Sequence, residues 1–70
     1  MDIRRALGRL PKLTKEELAH LLQLWHHRRA GYVAGIESYP PDRMEKYGRP
    51  FLDGIDRDIA RVRAELATRG

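Results

Sequence analysis

Residues 13–36, LTKEELAHLLQLWHHRRAGYVAGI, decide the fold class of this chain. Thr14 is placed to cap a helix, and Glu17 follows three residues on. That is the spacing of a capping box, in which each side chain accepts a hydrogen bond from the other residue's free backbone N–H. Leu13 and Leu18 flank the box where a hydrophobic staple requires apolar side chains. Beyond it, Leu18, Leu21, Leu22, Trp25, Tyr32, Val33 and Ile36 recur at three- and four-residue steps, one face of an α-helix. The stretch predicts a central helix over 14–36 on which the flanking segments must pack.

Upstream, Asp2 is positioned to cap a short basic helix within residues 1–12, with Ile3, Leu7 and Leu10 as its apolar stripe. Gly8 weakens this helix and Pro11 ends it. A helix of that length is not stable alone in water. It either docks across the main hairpin or orders on a partner.

Downstream, residues 37–41 (ESYPP) read as a connector, because tandem prolines end the preceding helix. Met44, Tyr47, Phe51, Ile55, Ile59, Val62 and Leu66 then hold one helical phase straight through Gly48 and Pro50. A loop has no reason to keep that phase. The pattern predicts a single helix over 41–68, kinked near Gly48–Pro50. On its outer face Asp53–Arg57 and Glu65–Arg69 have the i, i+4 spacing of ion pairs.

Charge interrupts the apolar faces at two places. Arg29 falls in line with Leu18, Trp25 and Ile36, and Asp58 falls between Phe51 and Val62. A charge there needs a partner or a route to water. Arg29 and Asp58 stand level if the last helix starts near Pro50. If it starts near Pro41 they do not meet, and Arg29 must run along its methylene stem to the surface.

Composition bounds the function. Seventy residues carry a net charge of +4 and no cysteine, which excludes disulfides and thiolate metal sites. A chain this short buries only about 60% of its unfolded surface, so pairing with a partner or a second copy is the remaining route to a larger core. No stretch approaches the roughly 20 apolar residues of a membrane span, and a cytoplasmic location is the expectation. The positive charge belongs to the N-terminal half, where Arg4, Arg5, Arg9 and Lys12 face Asp2 alone; beyond residue 36 seven acids balance seven bases.

Three sets of residues are candidates for function. For a protein partner they are Trp25 and Tyr32 on the apolar face, with Leu24, Gly31 and Gly35 along a second line of the helix. Two glycines four residues apart imply either close approach of another backbone or fraying of the helix end, with Gly35 as a cap. For nucleic acid they are Arg4, Arg5, Arg9, Lys12, His26 and Arg28, as phosphate contacts. For a metal, Glu17 and His20 form the E-x-x-H pair used in di-iron bundles, with His27 nearby. That reading is weak, because no carboxylate in the last helix is placed to bridge. No phosphate loop and no nucleophile–base pair can be assembled, so neither a cofactor nor catalysis is expected.

The reading is an all-α protein: a short N-terminal helix followed by a long antiparallel helical hairpin. Its core is expected to be completed by dimerisation or a partner chain. The expected function is non-enzymatic protein–protein interaction, as an adaptor, inhibitor or accessory subunit that self-associates. A nucleic-acid-associated regulator is the alternative, and a metal-binding bundle comes third.

Overall fold

The computed structural model describes residues 2–70 and shows an all-α hairpin with a short helix laid across one end. The helices are α1 (Ile3–Leu7), α2 (Lys15–Ile36), α3 (Pro41–Arg43) and α4 (Arg49–Thr68). A 3₁₀ turn at Leu10–Lys12 joins α1 to α2, and a π-helical turn at Met44–Gly48 joins α3 to α4.

Local chemistry sets the ends of these helices. Asp2 caps α1 by accepting from the N–H groups of Arg4 and Arg5 at 3.0 and 3.2 Å. The helix is shorter than the pattern over 1–12 suggests: it stops at Gly8, and Pro11 falls inside the 3₁₀ turn. The capping box is present, with the Glu17 N–H donating to Thr14 Oγ1 at 3.1 Å and the Thr14 N–H donating to Glu17 Oε1 at 3.0 Å. Leu13 and Leu18, the residues of the staple, are both buried.

The kink expected at Gly48–Pro50 takes a definite form. Pro50 has no N–H to offer the Lys46 carbonyl, and its ring would collide with that oxygen in a regular α-helix. The chain widens by one residue instead, and the Arg49 N–H reaches back to the Met44 carbonyl. Helical backbone thus runs without a loop from Pro41 to Thr68.

The core lies where α1 covers the hairpin. Ile3, Ala6 and Leu10 pack with Leu18, Leu21 and Trp25 of α2 and with Ile55, Ile59 and Val62 of α4. Two arginines of the last helix and its C-cap tie down the N-terminal segment: Arg61 donates to the Leu7 carbonyl at 3.4 Å, and the C-cap Arg69 to the Pro11 carbonyl at 2.8 Å. Docking across the hairpin is therefore the arrangement adopted by α1. Of the two ion pairs expected on the outer face, Glu65–Arg69 forms at 3.0 Å and Asp53–Arg57 does not.

Because α1 has only five residues, it covers one half of the hairpin and leaves the other as two helices. The molecule measures 41 × 19 × 15 Å, with a radius of gyration of 13.7 Å against about 11 Å for a compact chain of this length. Its surface of 5184 Å² exceeds the roughly 4,500 Å² typical of this mass. The excess reflects the uncovered end of the hairpin.

Candidate functional site

At the turn end, the α2–α4 register is set by a few close contacts. The rings of Tyr32 and Phe51 meet edge to face at 4.7 Å and 70°. Ile36 packs beside Gly48: a β-carbon there would lie at ordinary contact, 3.5 Å, from Ile36 Cδ1, and would meet the flexible Met44 thioether one turn earlier. Between turn and core, Arg29 Nε donates to Asp56 Oδ1 at 2.6 Å. Of the two fates left open for Arg29, pairing with Asp58 does not occur; the guanidinium reaches a half-exposed position and pairs there with Asp56, next to Ile55 in α4. The hydrogen bond and then the charge of Asp56 raise the Arg29 pKa above its ordinary value. Both side chains remain 39–49% exposed, so solvent screens the pair and it fixes register more than it stabilises the fold. Asp58 lies nearest Arg61, at 3.8 Å.

The same end exposes large apolar side chains. Tyr47 is 56% exposed, Phe51 45% and Val33 36%, although periodicity assigns all three to core faces. α1 does not cover them, although its Arg4 lines a cleft beside Phe51. With Tyr32, Ile36 and Tyr39, the rings of Tyr47 and Phe51 line a pocket of about 140 Å³, room for part of a side chain. Cations lie over two of the rings, Arg43 at 5.3 Å from the centre of Tyr39 and Lys46 at 5.7 Å from that of Tyr47. Within residues 37–49, which form this end, Glu37, Asp42 and Glu45 are matched by Arg43, Lys46 and Arg49, so the segment is neutral on a chain of net charge +4.

The partner candidates fall at different depths. Trp25 is only 2% exposed, and its Nε1 is buried without a hydrogen-bond partner, not at the rim as an anchor would require. Tyr32 and Leu24 are half-buried. Gly31 and Gly35 are exposed, and nothing stands within 4 Å of a β-carbon built on either. No backbone of this chain approaches them, and α2 continues through Gly35 to Ile36, which removes both the intrachain contact and the fraying. The glycine with near neighbours is Gly48, at the expected kink, beside the Met44 and Ile36 side chains.

The basic candidates are divided among separate surfaces. Arg4 and Arg28 flank one cleft; Arg5 and Arg9 line another with Asp2 and Glu17; His26 lies on the other flank of α2 beside Arg29 and Arg63. Lys12 is exposed in the 3₁₀ turn. No single basic track joins them.

For the metal reading, Glu17 is engaged in the capping box, and His20 and His27 are exposed. Among the described residues no group of three or more His, Cys, Asp or Glu side chains is close enough to hold an ion. Among the same residues, no helix is long and apolar enough to cross a membrane.

The exposed aromatic end is the feature that sequence reasoning missed. Its signal was available, because five residues of α1 cannot span a hairpin whose arms exceed twenty. No known family model matches the chain, and no similar curated protein or solved structure is found.

Proposed function

We propose that this chain is a small non-enzymatic interaction module that pairs with a second copy through the aromatic end of its hairpin. The exposure of Tyr47 and Phe51, which α1 leaves uncovered, carries the reading. Aromatic side chains supply much of the binding energy at protein interfaces, most of all where they fill a pocket on the partner. The pocket among Tyr32, Ile36, Tyr39, Tyr47 and Phe51 offers such a receptacle beside the protruding rings.

The neutral segment favours a second copy as the occupant. A two-fold interface places the same patch on both sides, so the patch must complement itself. Three acids interspersed with three bases meet that condition, whereas the basic N-terminal segment would repel its own image. A standard interface needs about 800 Å² per partner. The exposed Gly31–Gly35 line supplies a smooth continuation, since Gly35 lies within about 60° of Tyr32 around α2.

Sedimentation equilibrium across the micromolar range tests the proposal. The wild-type chain is expected to dimerise, and Phe51→Asp to weaken the dimer at least tenfold while keeping its helical circular dichroism. A wild-type chain that stays monomeric, or an unweakened F51D dimer, overturns it.

A further inference from the structure

The cations of the turn end lie over rings and not against acids. Arg43 stands 5.3 Å from the centre of the Tyr39 ring, and Lys46 5.7 Å from that of Tyr47. Asp42 and Glu45 precede Lys46 and Arg49 by four residues, the favourable order for ion pairs along a helix. Neither pair forms: among the described residues the ion pairs are Arg29–Asp56, Arg61–Asp58 and Arg69–Glu65, all outside this segment. Asp42 and Glu45 are exposed, as are Arg43, Lys46 and the Tyr47 ring. Unpaired carboxylates, cations docked on aromatic faces and an exposed ring thus share a few residues of chain.

We propose, on the footing that the chain pairs through this end, that these charges set the register of the pair. Arg43 and Lys46 of one copy, each backed by its own tyrosine ring, face Asp42 and Glu45 of the other. A ring behind a cation holds its position and leaves its outer side free for a carboxylate. The two-fold axis repeats each contact, since a residue that meets its counterpart in one direction is met by it in the other. A partner of a single sign would match half of these charges and repel the other half. A second copy is the occupant that the alternation fits. Such complementarity decides partner and orientation more than affinity, which rests on the Tyr47 and Phe51 rings.

Two double variants test this by sedimentation equilibrium, with circular dichroism to follow their helix content. Asp42→Lys with Glu45→Lys leaves the segment basic, and Arg43→Glu with Lys46→Glu leaves it acidic. Each alone is expected to dimerise at least about tenfold more weakly than the wild type, because like charges then meet across the axis. Their equimolar mixture is expected to form a heterodimer about as tight as the wild-type pair. The single substitutions Glu45→Lys and Lys46→Glu, gentler on the turn, are expected to repeat the pattern with smaller amplitude. The same reversals at Asp53 and Arg57, exposed in α4, are expected to leave pairing unchanged. Homodimers of undiminished strength, a mixture no tighter than its components, or an equal effect at Asp53 and Arg57 overturns the proposal. Phe51→Asp separates the register from the pairing itself: a dimer that F51D disrupts and the charge variants leave intact contradicts the register alone. A wild type that stays monomeric removes both.

Discussion

Asp2 shows how much one exposed carboxylate can govern. It accepts two backbone N–H bonds at the start of α1, and these bonds, with the nearby Arg5 and Arg28 charges, hold its pKa below the ordinary carboxylate value. A folded-state pKa below the unfolded one means that the carboxylate stabilises the fold above the ordinary carboxylate range. That contribution is lost as the pH falls through the depressed folded value. Asn at this position still caps a helix but does not titrate. The stability of Asp2→Asn, followed by thermal denaturation from neutral pH downward, is therefore expected to fall less steeply in acid than that of the wild type. Parallel pH profiles would contradict the role given to Asp2. This cap and the Thr14–Glu17 box were legible in the sequence because each is completed within three residues of chain. The choice of Asp56 over Asp58 by Arg29 was not, because steps of 100° fix the face a residue occupies but not its level against another helix.

At the scale of the helix, the glycines divide by what lies opposite them. Gly31 is exposed in the middle of α2 with open space around it, so Ala there relieves backbone entropy without contact. Gly31→Ala is expected to raise stability by about 0.5–1 kcal/mol. Gly48 is buried where a β-carbon meets Met44 and approaches Ile36. The Met44 thioether is the flexible end of a half-buried side chain and must move aside, which offsets part of the gain in helix propensity, so Gly48→Ala is expected to raise stability less than Gly31→Ala. Urea denaturation of the two variants, each at one fixed protein concentration, checks the contrast; a gain at Gly48 equal to or larger than that at Gly31 would refute it. In sequence, the paired glycines at 31 and 35 looked more like a contact than the single one at 48. A glycine's spacing records nothing of what another helix brings to it. The irregularity near Gly48–Pro50 was legible, because a missing N–H is a property of proline alone. That it becomes a π-helical turn follows from α4 holding its apolar phase while avoiding the Lys46 carbonyl.

For the molecule as a whole, what counts is coverage. The all-α hairpin could be read from the 3.6-residue periodicity of its two arms and from the tandem prolines between them. Periodicity marks which side chains face inward on a helix, but not whether anything arrives to cover them. Leu18, Leu21, Ile59 and Val62 lie under α1 and are buried; Tyr47 and Phe51 follow the same pattern and are not. A five-residue helix explains the difference, and the end it leaves uncovered is the surface we propose for pairing. The most direct test is isotope-filtered nuclear Overhauser spectroscopy on an equal mixture of labelled and unlabelled chain. Contacts between copies are expected from the Tyr47 and Phe51 rings to Tyr32, Ile36 and Tyr39 of the other copy. Contacts between copies confined to other surfaces, or none at concentrations where the wild type should pair, would contradict the account.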